Sequence, residues 1–565
     1  MKREACVAAF VAVVATALFL EPFWKRWDWP GARDWGIWIF YEVTARKAVL
    51  EHGELPRWNP YACGGLPYHA HPFTRAIAPL APLHWLVGLP RVTLRIEAGL
   101  LLAATACLAF LLARKSGVSR SGAALAAVLT AYGGAVVGRL WAGHLGLLQL
   151  PWVLIALMCR SIEPERRSIA LGALALALAV LCAGNYLAVC AAVLLGLEAG
   201  WDVAASRRPR ALGVVAGMVS LGFMLAAVKV VPTVDFLSDY PRLTSGHDPF
   251  APGGPLRALL APLGVAIPGA AFGWHEYAAY VGWLPLGLAA AALCLDRRRA
   301  IRPAVMFAAV VLIAWGDFAP LSPWSLLHRL PMIDSMRIPA RFLLVAMIPL
   351  GQLAGLGLDA LARLVPGGAA RWLVLLVPVV LLDLALEARP VLGAAFVRPQ
   401  PPSFLRAVPR DGRFHQVRGA PERMAEAAEH DLGTVRCAEG VPVRRSKRLR
   451  TPTQRGYRGE AWIMGEAGAG TARLATFSFD RLAVDVDIHA PRGATLVINQ
   501  NFDRRWRTSS GYAVRDFEGV LAVPLPPGRR RVDLEYRPVA LAWGAALTAA
   551  AALALVACLW PRRSA

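Results

Sequence analysis

The chain has 565 residues, of which 56% are hydrophobic and only 18% charged, with a mean hydropathy of +0.46. Soluble domains carry roughly a quarter charged residues, so the composition excludes a purely soluble protein, and the long apolar runs exclude a disordered one. The 61 Lys+Arg against 38 Asp+Glu leave a net +23, which belongs either to nucleic-acid binding or to cytoplasmic loops that orient membrane spans.

The first apolar run, from about Cys6 to Leu20, follows Met1-Lys2-Arg3-Glu4 and shows no small-residue cleavage site before EPFWKRWDW. It reads as an uncleaved first span. Further apolar runs centre near residues 103, 129, 152, 178, 193, 220, 286, 310, 350, 380 and 549. Together they predict an all-α polytopic membrane bundle of about 12 transmembrane helices, on the criterion of spanning length. Arg114-Lys115 with Arg120, Arg160 with Arg166-Arg167, Arg207-Arg208 with Arg210, Arg297-Arg298-Arg299 with Arg302, Arg363 with Arg371, and Arg562-Arg563 then fall on one side. The positive-inside rule makes that side cytoplasmic and places both termini there. The short, proline-interrupted segment Ile77 to Leu89 reads as an interfacial or re-entrant element.

Four stretches lie outside. The first loop, about 21–91, holds seven of the 19 tryptophans, an anchor chemistry that predicts a loop lying along the membrane surface. The second runs from Pro232 to about Tyr277 and the third from Phe318 to Arg341. The fourth, 389–538, is long enough for a domain; it separates a membrane module (1–388) from a final span and basic tail (539–565). Its second half alternates with period two, as in Leu482-Ala483-Val484-Asp485-Val486-Asp487-Ile488, and predicts an extracytoplasmic, β-rich, sandwich-like domain. The first half reads as mixed α/β without placeable elements. The domain carries 26 Arg+Lys against 16 Asp+Glu, which suits a polyanionic acceptor or merely follows the arginine-rich composition of the whole chain.

Seven of the nine cysteines lie in apolar runs and no Cys/His metal spacing appears. Cys63 and Cys437 fall in polar segments; a disulfide between them is possible but is the less favoured reading, because spacing alone gives no proximity. Charged residues near span centres are few: Lys229, Asp359, Asp383 and Glu387 sit near span ends. Chemistry is therefore expected at the outer surface.

Asp34, directly after the first span, is placed to take a proton from an acceptor hydroxyl as that hydroxyl attacks an anomeric carbon; the competing reading pairs it with Arg33. Glu42 follows, and His69 and His71, two apart, would share a face of a strand, more readily in a structural role than as ligands. Arg337 and Arg341 stand four apart at the outer end of a span, with a helix start expected between them at Pro339. They suit a lipid-linked phosphate or headgroup snorkelling. Lys229 offers a third cation. His144, His275 and Glu276 lie at the outer mouths of two other spans, as acceptor-orienting or helix-end groups; no metal ligand set is assigned, although a divalent metal remains compatible.

The order of GELPRWNP, GGLPY, AGHLGLLQLPW, VVPTVDFLSDYPR, HEYAAYVGWLPL, RIPARFLLV and NFDRRWRT resembles the YfhO family of bacterial membrane proteins, which belongs with the GT-C glycosyltransferases. The resemblance implies a GT-C fold whose first external loop carries a catalytic Asp, which transfers onto Asp34. It also implies a polyprenyl-phosphate-linked sugar donor, a cell-envelope glycan, lipid or polymer acceptor, and a place in the bacterial plasma membrane among membrane lipids. The family's basic pair falls on Arg337 and Arg341. The rival reading is a non-catalytic lipid-glycan transporter or scaffold that keeps the fold. Nucleic-acid binding is set aside, because the charges follow topology.

Overall fold

The computed structural model describes residues 2–560 except 26, 28, 30, 208, 242–249, 251–253, 331–332, 366, 397–407, 409–410, 412, 420–422 and 438–445. Arg208 and the Arg562-Arg563 pair of the topology argument lie outside the described residues.

A helix stands at each of the twelve expected centres, from Lys2–Phe19 to Val539–Leu559. Among the described residues, six stretches are long and apolar enough to cross a membrane: Pro90–Lys115, Arg120–Ala142, Asn185–Ala205, Pro339–Leu364, Gly368–Gly393 and Val539–Leu559. Arg210–Leu225 and Ala227–Asp239, bent by 76° at their junction, make a seventh if taken as one broken span. The expected dozen full spans is therefore not reached by length. Glu4–Phe19, Leu145–Cys159 and Trp283–Leu295 are apolar but short. At 1.5 Å per residue such helices fall short of a hydrocarbon core about 30 Å thick. The Ile77–Leu89 segment contains one short helix, Ala81–Val87, with Leu83, Leu86 and Leu89 exposed, in keeping with an interfacial element.

The bundle is organised around Arg120–Ala142 and Pro339–Leu364, each 94% buried. Their approach depends on glycine. A Cβ on Gly122 would lie 2.5 Å from the Gly355 carbonyl oxygen, and one on Gly355 equally close to that of Gly122. Small residues at such a crossing let backbones touch, which is how helices gain packing energy where lipid removes the hydrophobic drive. Ser119 caps the first helix by accepting from the Gly122 N–H at 3.2 Å, and Asp359 accepts from the Ser119 N–H at 2.8 Å.

The C-terminal region forms two four-stranded sheets. One runs Arg515–Phe517, Val520–Leu525, Ala494–Asn501, Ala461–Met464; the other runs Gly470–Phe477, Arg481–Ile488, Gly528–Tyr536, Trp506–Thr508. Val484, Val486, Ile498, Val523, Val532 and Leu534 alternate into the core between them, as period two requires. Before them, the strands His415–Val417 and Leu432–Thr434 pair in parallel around the helix Met424–Glu429, a small α/β piece.

The tryptophan-rich loop departs from expectation. Trp35, Trp38 and Trp58 are buried, and only Trp27 of the seven counts as exposed. Trp58 belongs to the sandwich core, with its ring 5.5 Å from Trp506 and 5.1 Å from Tyr536. The loop is therefore largely an internal strut between membrane bundle and β-domain. Arg57 pairs with Asp480 at 2.7 Å, and the Asn501 amide donates to the carbonyls of Cys63 and Gly65 at 2.8 and 2.9 Å. Contrary to expectation, Cys63 and Cys437 form a disulfide across 374 residues; the docked loop creates a proximity that spacing could not show. A second tie holds the helix Ala227–Asp239. Arg505 donates to Asp235 and Asp239 at 2.6 and 2.7 Å and to Asp503 at 2.9 Å, while Val230, Thr233, Val234 and Leu237 of that helix line the cleft described next.

Candidate active site

A cleft of about 390 Å³ opens among the ends of several helices. Asp34 stands in it as the first residue of the helix Asp34–Arg46, its side chain 42% exposed. Arg33 does not pair with it; that guanidinium lies over the Trp141 ring, 4.1 Å from its centroid. The partner of Asp34 is His144, whose Nε2 lies 3.3 Å from Asp34 Oδ2. The glycine of WAGH makes this meeting possible. Gly143 ends the preceding helix at φ +79°, and a Cβ there would sit 2.4 Å from the Trp35 nitrogen. Only glycine accepts both the left-handed turn and that approach.

Behind His144 sits Glu276, 5% exposed. Arg341 holds its carboxylate with two nitrogens, at 3.0 and 2.5 Å. Arg139, 1% exposed, also donates to that carboxylate, and reaches the carbonyls of His275 and Glu276 at 2.8 and 2.6 Å. Burial raises the Glu276 pKa, but Arg341 and Arg139 outweigh it and hold the carboxyl well below the usual range. His144 Nδ1 faces this carboxylate at 3.9 Å. Burial pushes the His275 pKa down to about 4, so that its ring is neutral at pH 7. Arg337 also lines the cleft, with its guanidinium 5.5 Å from the Phe272 centroid and no ion pair among the described residues. Pro339 opens a 3-10 turn between the two arginines, as expected, so Arg341 turns inward to Glu276. The remaining walls are largely apolar, among them Ile37, Trp38, Leu147, Val189 and Phe223.

The other expected site residues are not brought to this cleft's lining. Lys229, expected as a third phosphate cation, donates to the His69 and His71 carbonyls at 2.8 and 2.7 Å and to Thr74 Oγ1 at 2.9 Å. All three of its protons are used in pinning the first loop. His69 and His71 sit in a turn, not on a strand; His69 Nε2 bonds the Val228 carbonyl at 2.8 Å and His71 Nδ1 lies 3.1 Å from the Tyr41 hydroxyl. Glu42 accepts from Arg75 at 2.8 Å, and Arg75 also binds Glu97 at 2.5 and 2.6 Å beside His84. This buried network satisfies its own charges.

Residue-level reading missed Arg139, Glu97 and Arg75. Arg139 and Glu97 had a visible signal, since each interrupts an apolar run, where a charge implies a partner. His144, His275 and Glu276 have ligand atoms within 4.8 Å of one another, but they suit a cation poorly. The only carboxylate of the set is already held by two guanidiniums, which would repel a divalent ion.

No family model and no curated protein matches the chain. Among solved structures, the chain is similar to the cryo-EM structure of the arabinofuranosyltransferase AftD from Mycobacteria, at 20% identity and a TM-score of 0.43, covering 74% of this chain and 30% of that one. A mutant of the same enzyme matches at 18% identity and a TM-score of 0.40, covering 74% of this chain and 31% of the other. The chain thus spans less than a third of the length of the structures it matches.

Proposed function

We propose that this chain is an integral membrane glycosyltransferase of the GT-C kind, related to the YfhO family. It would transfer a sugar from a polyprenyl-phosphate-linked donor to a cell-envelope glycan, lipid or polymer acceptor. The observation that carries this reading is the meeting of Asp34 with Arg337 and Arg341, some 300 residues away, in one largely apolar cleft at the helix ends. A carboxylate and guanidiniums in such a cleft match a reaction that removes a proton at one end and releases a phosphate at the other.

In that reaction Asp34 takes the acceptor hydroxyl proton while the oxygen attacks the anomeric carbon. The bond from that carbon to the phosphate oxygen breaks, and its electron pair leaves on the phosphate, held by Arg337. His144 orients the Asp34 carboxylate. Glu276 fixes Arg341 and, through its carboxylate, the charge behind His144. The Cys63–Cys437 disulfide supports a β-domain on the oxidising, extracytoplasmic face of a bacterial plasma membrane, with both termini cytoplasmic.

Asp34→Asn tests this reading. Transfer from a polyprenyl-phosphate sugar should fall by about 10²–10⁴, with expression and folding retained. Unchanged envelope glycosylation in that variant would leave a transporter or scaffold as the better account.

A further inference from the structure

A second cleft of about 520 Å³ opens where the first loop meets the β-domain, and it shares no lining residue with the first. Its inner wall is a chain of hydrogen bonds. His415 Nε2 lies 2.9 Å from Asp411 Oδ1, and His415 Nδ1 lies 3.0 Å from the Tyr457 hydroxyl. That hydroxyl donates to Glu460 Oε1 at 2.8 Å, and Glu460 accepts further from the Gln416 N–H at 3.0 Å and the Asn499 amide at 2.9 Å. His415 and Glu460 are each 8% exposed, so this part of the wall is preformed and held by its own hydrogen bonds. At the mouth, Glu51 and Asp431 are both taken by Lys47, each at 3.0 Å.

The cations of this cleft are placed differently. Arg413, Arg458 and Arg473 come from three separate segments, line the same cleft and are exposed. None has an ion-pair partner among the described residues. Three uncommitted guanidiniums around a polar, preformed wall suit a ligand that brings both anionic groups and hydroxyls. Guanidinium binds carboxylate or phosphate with paired donors, and the wall's edges, Asp411 and Tyr457, are of the kind that bonds hydroxyls.

We propose that this cleft binds an acidic oligosaccharide, its carboxylate or phosphate groups held by Arg413, Arg458 and Arg473. The proposal rests on the glycosyltransferase reading only in naming the bound oligosaccharide the acceptor. The helix from Asp34 runs directly into Lys47–Glu51, so its two ends mark the two clefts, about 25 Å apart at the helical rise. An acceptor chain seated at the Glu51 end is thereby tethered within reach of Asp34.

Calorimetric titration of the full-length protein in detergent tests this. The probes are a short oligogalacturonate, a glycerol-phosphate oligomer and a neutral dextran oligomer. At least one anionic probe should bind while dextran does not, and which one binds distinguishes carboxylate from phosphate. Arg458→Ala/Arg473→Ala should weaken binding about tenfold or more, equivalent to losing one charge-assisted pair. The control Arg492→Ala/Arg515→Ala, two exposed arginines outside the cleft lining, should leave it unchanged. Equal weakening by both double variants would reduce the effect to general basic attraction and overturn the proposal. Equal binding of dextran, or no binding of either anion, would also overturn it. Asp34→Asn should bind the probe as tightly as the parent. Loss of transfer with binding intact upholds both readings, whereas transfer intact with binding intact overturns the catalytic assignment alone.

Discussion

Replacing Glu276 by Gln removes the one negative charge between two guanidiniums, of which Arg139 is 1% exposed and cannot turn to water. The amide keeps the shape of the side chain, but its NH₂ must face a guanidinium donor where a carboxylate oxygen accepted. Breaking a buried pair from one side costs about 3–5 kcal/mol, because the partner charge stays buried and uncompensated. Asp34 is 42% exposed and, among the described residues, pairs only with His144, so Asp34→Asn should cost about 1 kcal/mol or less. The two variants therefore separate support from chemistry. Glu276→Gln should lower the thermal midpoint in detergent clearly and weaken donor binding through the loosened Arg341. Asp34→Asn should keep the midpoint and lose transfer. Adding Arg139→Met to Glu276→Gln should recover part of the loss, with a coupling of about 1 kcal/mol or more in a double-mutant cycle. A Glu276→Gln protein as stable as the parent would refute the argument that this carboxylate is the electrostatic keystone of the cleft.

Two further outcomes test the β-domain. Burial pushes the Glu460 pKa up to about 7 against a model-peptide value of 4.5. The folded state therefore holds that proton where the unfolded chain releases it. Stability should fall by about 3 kcal/mol as pH rises from about 4.5 to about 7 and stay level above. Glu460→Gln should flatten this slope in denaturant titrations at several pH values; an unaltered slope would show that another group sets it. Cys63→Ser should destabilise the protein by about 2–5 kcal/mol through the freed 374-residue connection and expose the loop to protease, whereas the exposed Cys294 replaced by Ser should not.

Helix positions and the sandwich strands were legible in the sequence because their signals are local. A long apolar run declares a helix wherever it stands, and alternation such as that in Leu482–Ile488 declares a half-buried strand. Asp34, Arg337 and Arg341 stood out in the sequence as charges at helix ends, and the fold brings the three into one cleft. Tertiary structure decided which polar groups are free to do chemistry. Lys229 looked like Arg337 in sequence, yet its protons are spent on the turn around His69 and His71. Arg337 makes no ion pair among the described residues and lies against the Phe272 ring. Trp58 read as a membrane anchor and became sandwich core; the Cys63–Cys437 bridge, the less favoured reading in sequence, is formed. Such outcomes depend on partners tens to hundreds of residues away. Residue type and spacing set what a side chain is able to bind, and packing settles what it does bind.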